Sequence, residues 1–338
     1  MRHLIKQTAK MIGYFLLVAT LIAAVPVVGY FSVGWLALPT PEQQSVPQFQ
    51  KLEKTEFSEA AAQALQALTK ARASQQLPAL TVAVMHQGQF VWAAGSGYAD
   101  VEQQLPVTPQ SQFRIGSTSK AVTATVLARL LASGQLDLEQ PISRYQTQLP
   151  NPAWQTLTLR QLMSHTAGLP SYETNDDWRG VWHSWVKQKH YDDVDAALEI
   201  FDNASLQYKA GEDFMYTSFD VNLASSVMQH AAGQPFLSLL ASQVTEPLAL
   251  PSIRAADTPY PAQVQFYQQK TSGQVNPHWP VDLSQKWAGG GLAASSVDLA
   301  RLGAAWLDPA FIPTAIQQQF WTVQRLNNGE KNEQNYGL

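Results

Sequence analysis

The chain contains no cysteine. Disulfides, thiolate catalysis, cysteine-ligated zinc and lipid attachment through an N-terminal cysteine are therefore excluded. Charge is also scarce: charged residues make up 14% of 338, and 22 Lys and Arg against 26 Asp and Glu leave a net charge of −4. Without a basic field to hold a phosphate backbone, no nucleic-acid partner is expected. No internal repeat or low-complexity segment is present, so repeat arrays and disordered tails drop out as well. Hydrophobic residues account for 45% of the chain, enough at this length for one large domain or two intimate lobes.

The N-terminus is the exception to this even composition. Arg2, Lys6 and Lys10 precede an apolar run from Met11 to Leu38, broken only by Thr20, Pro26, Ser32 and three glycines. A bilayer core takes about 20 apolar residues as a helix, and this run exceeds that. A cleaved signal peptide is the competing reading, but its apolar region is about 7–15 residues long and ends at a small-x-small site; neither applies here. Positive charge ahead of the span puts the N-terminus inside and the rest of the chain outside. The expected organisation is a basic tip (1–10), a transmembrane signal anchor (11–38), a polar Pro-containing linker (39–57) and a domain from 58 to 338.

Within that domain the pattern alternates between helix and strand signals. Ser58 opens a helical stretch to Ser74, and Ala79–Met85 with Phe90–Ala94 reads as a hairpin across His86-Gln87-Gly88-Gln89. Phe113-Arg114-Ile115-Gly116 is a short strand and turn leading into a helix from Ser117 to Ala132. Asp192–Phe201, Phe219–Ala232 and Pro235–Val244 have helical spacing, while Pro261–Gln274 looks strand-like with a turn near Ser272-Gly273. Ser295, with Asp298 three residues on, predicts a capped helix through Trp306. This order of helix, antiparallel strands, helical insertion and further strands predicts an α+β layered domain with a helical lobe.

The chemistry centres on Ser117-Thr-Ser-Lys120. Residues i and i+3 share a helix face, so the Lys120 amine comes within reach of the Ser117 hydroxyl. The helix N-terminus favours a developing oxyanion. Lys120 acts as a base only if burial or positive neighbours lower its pKa. Alone, Ser-x-x-Lys is a weak signal, and Ser184-Trp-Val-Lys187 matches it too, in an aromatic stretch lacking the strand-turn-helix context. Phe214-Met-Tyr216-Thr-Ser218 opens a second helix and offers a phenol as proton shuttle and a hydroxyl to hold the lysine or a substrate amide. His165 has no His-x-x-x-His or His-x-His partner, and Gly289–Gly291 lacks the Gly-Lys-Ser/Thr of a phosphate loop. No metal or cofactor is expected.

Gly-Ser117-x-x-Lys120, Leu162-Met-Ser-His165-Thr-Ala-Gly168-Leu-Pro170, Tyr216-x-Ser218 and Trp287-Ala-Gly-Gly-Gly-Leu292, in this order, resemble the class C β-lactamase-related and penicillin-binding-type serine hydrolases. The likeness covers about residues 56–338 and leans toward the branch of the mitochondrial serine β-lactamase-like protein and its bacterial relatives. It implies a β-lactamase/transpeptidase-like fold, with an antiparallel sheet flanked by helices beside a helical lobe. It also implies that Ser117 is acylated and that Lys120 and Tyr216 manage its proton. Ser218, standing where Asn is commoner, would bind substrate together with Gly290 and Gly291, a tight backbone turn on the cleft rim. The His165 turn is structural in the family. The implied substrate is a small molecule or peptide: an ordinary or D-amino-acid peptide, an ester or a β-lactam. The implied place is the bacterial inner membrane with the domain facing the periplasm; oligomers are open by analogy.

One element of the pattern is missing. The family carries a Lys-Thr-Gly or His-x-Gly triplet on a cleft strand after a Tyr-Gly-Leu segment, and this chain ends at Tyr336-Gly337-Leu338. Lys270-Thr-Ser-Gly273 has an inserted residue and stands before the triple glycine. The expectation is a domain incomplete at its C-terminus, lacking strands and a helix. Losing one oxyanion donor costs roughly 10²–10³ in kcat, so weak or absent turnover is expected, with a membrane-tethered binding or scaffold protein as the alternative.

Overall fold

The computed structural model of the protein describes residues 2–38, 46–186, 189–332 and 334–338. The apolar run forms helix α1 (Arg2–Ser32), of which Met11–Tyr30 is long and apolar enough to cross a membrane. The helix stops short of Leu38. Gly34 adopts a left-handed φ of 82°, and Leu36 then pairs with Val275 in an antiparallel bridge.

The expected linker is also shorter than its composition suggests. Residues 39–45 lie outside the described ones, but Gln48–Leu52 is strand β1, followed by α2 (Ser58–Ser74), β2 (Ala79–His86) and β3 (Gln89–Asp100). β1 and β2 both pair antiparallel with β3, and β4 (Leu105–Pro106) extends β3's far end. Gln87 and Gly88 close the hairpin at φ of 51° and 74°, as a two-residue turn of the I′ kind requires. α2 covers this sheet, Ala61 and Leu68 meeting Val91, Trp92 and Ala94.

Beyond β5 (Phe113–Arg114) a single 3₁₀ turn, Gly116–Thr118, leads into α3 (Ser119–Ala132). The insertion holds α4 (Leu159–Met163), α5 (Trp178–Val186), α6 (Ser218–Ala232) and α7 (Phe236–Leu240). The helix expected over 192–201 is only the 3₁₀ turn Ala196–Ile200. There Asp193 Oδ1 takes the N–H groups of Asp195 and Ala196, and the Asp195 carboxylate is drawn to Ser226, Gln229 and His230 on α6. Such local acceptors compete with helical bonding. The helix expected over 235–244 continues past α7 as a π turn, Ala241–Thr245.

The last part of the chain supplies β6 (Arg254–Ala255), the hairpin β7 (Tyr267–Gln269) and β8 (Val275–Pro277), α8 (Trp287–Gly290), β9 (Leu292–Ala294), α9 (Ser296–Ala305) and α10 (Thr314–Trp321). β9 lies between β5 and β6, pairing Phe113 with Ala294 and Arg114 with Ala293. This pairing sets the triple glycine beside Ser117, although the two are far apart in sequence. The main core wraps α3 and α6, with Trp154, Phe201, Phe219 and Phe236 fully buried. The α+β architecture with a helical lobe is as expected.

Ser295 caps α9, its side chain accepting from the Asp298 N–H at 3.2 Å. The reciprocal half of a capping box is absent, because the buried Asp298 carboxylate instead accepts from Ser252 N at 2.9 Å and Ser252 Oγ at 2.6 Å. Ser295→Ala removes the cap and one partner of Ser252. A loss of about 1–2 kcal/mol is expected, read as a lower urea midpoint; an unchanged midpoint would contradict this account.

Candidate active site

Two helices present matched faces to α8. On α3, Lys120 and Thr123 are three residues apart; on α6, Ser218 and Asn222 are four apart, so each pair shares a face. Thr123 Oγ1 donates to Ala288 O at 2.9 Å. Asn222 donates through Nδ2 to Gln285 O at 3.0 Å and accepts the Gly289 N–H at 3.1 Å. Ser119 Oγ accepts the Leu292 N–H at 3.1 Å, which ties the start of α3 to β9. Only a residue without a side chain fits at 289, where a Cβ would meet Ser218 Cβ, Ser218 O and Asn222 Oδ1 at 2.9 Å.

Lys120 stands where these elements converge. It is 7% exposed, and its Nζ lies 3.3 Å from Ser117 Oγ, 3.0 Å from Ser218 Oγ and 2.6 Å from Gly289 O. Ser117 itself is exposed on the 3₁₀ turn, so a solvent-facing hydroxyl is backed by a buried amine. Burial lowers the Lys120 pKa, an effect that Tyr216 and Asp220 oppose.

The His165–Pro170 turn serves as a template for the Tyr216 segment. His165 O accepts the Met215 N–H at 2.9 Å, and Thr217 Oγ1 donates to Pro170 O at 2.8 Å while capping α6. Tyr216 is thereby held with its ring centroid 4.6 Å from that of His165 and 4.8 Å from Lys120 Nζ. Beneath it, His165 Nδ1 and Asp220 Oδ2 lie 3.0 Å apart, both side chains 1% exposed. Burial drives the Asp220 pKa well up, with Lys120 pulling the other way. Burial and then the Lys120 charge bring His165 down to about 3. Asp220 Oδ1 has no partner among the described residues, and a buried ionised carboxylate with an orphan oxygen is costly. Burial thus disfavours the charged form of both groups.

Ser117, Lys120, Tyr216 and Ser218, all singled out from sequence, are thus brought together. The glycines differ from expectation. Gly289 supplies the contact to Lys120, and Gly290 lies beside Gly116, a Cβ there standing 3.8 Å from Gly116 C and O. Gly291 has its backbone spent inside the fold, N–H to Trp287 O and C=O to Ala256 N–H. Its assignment as a substrate-binding residue is therefore not supported. Asp220 and Asn222 were not singled out from sequence, and Tyr336, noted there only as part of the Tyr-Gly-Leu segment, brings its ring to 5.1 Å from that of His165. Lys270–Gly273 forms the turn of the β7–β8 hairpin, away against Trp35. In the second Ser-x-x-Lys match, Lys187 and the Ser184 side chain lie outside the described residues.

A carboxylate–histidine cluster, not anticipated from sequence, stands at His190, Asp257 and Asp282, with ligand atoms within 4.8 Å of one another. His190 Nδ1 lies 2.8 Å from Asp282 Oδ2 and 3.6 Å from Asp257 Oδ2. The Asp282 hydrogen bond, with the neighbouring carboxylates, raises the His190 pKa.

Residues 61–338 match the β-lactamase family. The chain belongs to that family, and with it to a class of serine hydrolases. It is similar to the mitochondrial serine β-lactamase-like protein LACTB of Homo sapiens, 26% identical over 296 residues, covering 68% of this chain and 53% of the relative. It is also similar to the putative penicillin-binding protein PbpX of Bacillus subtilis (strain 168), 25% identical over 232 residues, covering 68% and 54%. The chain thus spans about half the length of these curated relatives. Among solved structures, the D-amino acid amidase of Ochrobactrum anthropi SV3 superposes with a TM-score of 0.66 at 22% identity, covering 78% of this chain and 75% of the other. The octameric penicillin-binding protein homologue of Pyrococcus abyssi gives 0.65 at 20%, covering 82% and 64%. These likenesses establish the β-lactamase/transpeptidase-like fold.

The neutral His165 has a stability signature. Its folded pKa of about 3 lies below the ordinary 6.5, so below pH 6.5 the unfolded chain binds more protons than the folded one. The stability this group contributes is present above pH 6.5 and is lost progressively as pH falls toward 3. Urea midpoints should accordingly fall more steeply between pH 6.5 and 4.5 in the parent than in His165→Gln; parallel slopes would refute the assignment.

Proposed function

We propose that the chain is a membrane-anchored serine hydrolase acting through an acyl-enzyme on an amide or ester, the domain facing the periplasmic side of a bacterial inner membrane. The observation that carries this reading is the buried Lys120 amine with three oxygen neighbours. A neutral amine has two N–H bonds and one lone pair. Gly289 O and Ser218 Oγ, the two nearer neighbours, take the N–H bonds, and the lone pair is left to receive the Ser117 hydroxyl proton. Ser117 Oγ then attacks the substrate carbonyl carbon at the N-terminal end of α3, where the helix dipole favours the oxyanion.

Tyr216, 43% exposed and stacked beside Lys120, is placed to relay that proton to the leaving nitrogen or oxygen. Collapse of the tetrahedral intermediate expels the leaving group and forms the Ser117 ester, which water hydrolyses with the same groups acting in reverse. The O. anthropi neighbour is an amidase for D-amino acids, and another of the same fold, EstCE1, is a hydrolase with promiscuous acyltransferase activity. Amide cleavage and acyl transfer both act on a carbonyl carbon, and an amide or ester carbonyl is the substrate class assigned to this chain.

A fluorophosphonate probe on the full chain tests the reading. Ser117 is expected to be the labelled residue by peptide mass, with labelling lost in Ser117→Ala and slowed about 10²–10⁴-fold in Lys120→Met. The labelling rate should rise with pH and level off below the ordinary lysine value of 10.5, because burial lowers the Lys120 pKa. Absence of label at Ser117 in the parent chain would instead support a non-catalytic binding role.

A further inference from the structure

Helix α1 does not hand over to a free tether. Met11–Tyr30 is 20 residues, about 30 Å at 1.5 Å per residue, the thickness of a bilayer's hydrocarbon core. On the anchored reading, Tyr30 therefore marks the outer hydrocarbon boundary. From that residue onward the backbone is gripped by the β7–β8 hairpin. Tyr30 Oη donates to Pro277 O at 2.7 Å. The buried Asn276 donates through Nδ2 to Tyr30 O at 2.9 Å and Val33 O at 3.1 Å. Leu36 and Val275 exchange backbone hydrogen bonds of 2.7 and 2.9 Å. The Tyr30 ring meets Trp279 edge-on at 5.1 Å, and Lys270 Nζ stands 4.0 Å above the Trp35 ring.

A side chain bonded to the Tyr30 carbonyl sits at the depth of Tyr30. Asn276, Pro277 and Trp279 are therefore held at the edge of the hydrocarbon, and Trp35 and Lys270 just outside it. Tyr and Trp enrichment, with lysine reaching outward, is the composition that settles in the headgroup layer. Trp279 is 42% exposed. It also walls a groove of about 850 Å³ in which Leu105, Tyr260, Phe266 and Pro280 stand beside polar residues such as Asp100 and Arg114. The residue touching the anchor and the residue lining the groove are thus the same, and the groove opens into that layer.

We propose that the β7–β8 hairpin and the Trp279 rim are a bilayer-docking face that holds the domain at a fixed orientation, and that the groove takes an acyl chain of a lipid from the adjoining leaflet. This rests on the membrane-anchored reading. Because the chain has no cysteine, single labels can be placed cleanly. The full chain is reconstituted in vesicles of phosphatidylethanolamine and phosphatidylglycerol, with bimane at His278→Cys beside Trp279, at Gln265→Cys in the groove lining or, as a control, at the exposed Leu307→Cys.

Headgroup spin-labelled lipid is expected to quench position 278 at least about twofold more than position 307, and mid-chain spin-labelled lipid to quench position 265 above the same control. Equal quenching at 278 and 307 in an inserted chain overturns the docking face. Quenching at 278 with none at 265 by mid-chain label overturns the lipid assignment of the groove. If intact-mass measurement of membrane-extracted protein shows residues 1–30 removed, the anchored reading itself fails, an outcome distinct from both.

Discussion

The site depends on one buried amine. A buried amine is costly unless its N–H bonds are matched, and oxygens at the start of α6 and on the α8 backbone take those of Lys120, while Ser117 on the turn before α3 faces its lone pair. The demand shapes what surrounds it. α8 must approach α6 closely enough for the Gly289 carbonyl to reach the amine, which rules out any side chain at 289. Asn222 and Thr123 fix that approach by bonding the backbone of the same short segment. β9 follows at once and pairs with β5, so the strand leading into Ser117 and the strand leaving the glycines are one ladder. A shift of α8 by an ångström would leave the amine with an unmet donor and a misplaced lone pair.

Burial alone would not keep the amine neutral if an anion lay close by. Asp220 is such an anion in principle, and its charge would hold a proton on Lys120. Burial works against that charge, raising the Asp220 pKa, and both it and its partner His165 lie out of reach of solvent. His165 reaches this position through a left-handed backbone, φ 59°, a strained conformation for a side chain of its size. That strain is held by the Met215 and Tyr208 bonds to its carbonyl. The turn first read as structural is therefore also the floor under Tyr216 and a determinant of the charge state around Lys120.

Much of this was legible from the chain because the chemistry sits at helix starts. Ser117 and Lys120 are three apart, a spacing that brings them to one face, and Tyr216 and Ser218 share a short window at the entry to α6. The less legible parts depend on contacts that spacing does not encode. Three consecutive glycines are identical in sequence, and only the packing of α8 against Ser218 selects 289 as the one facing the amine while using up 291 in the turn. Asp220 follows Tyr216 by four, but Tyr216 stands outside the helix, so helical arithmetic does not relate them. Asn222, four after Ser218 and inside the helix, could have been found by that arithmetic. His190, Asp257 and Asp282 come from three separate loops, and no local pattern joins them.

The stretch after the apolar helix shows why composition misleads at a domain's edge. Polar residues and prolines around 39–57 suggested a linker, yet Gln48–Leu52 is an edge strand whose two half-buried positions, Phe49 and Leu52, fall on opposite faces. An edge strand needs no hydrophobic run, its backbone being paired on one side only, so its polarity is not evidence of freedom. Val33–Leu36, apolar and expected to continue the span, likewise has its backbone claimed by Asn276 and Val275. The chain is thus fixed at Leu36 against the hairpin and again at Gln48 against β3. Where a membrane meets this protein, the orientation of the Ser117 cleft follows from those two fixed points and not from the reach of a tether.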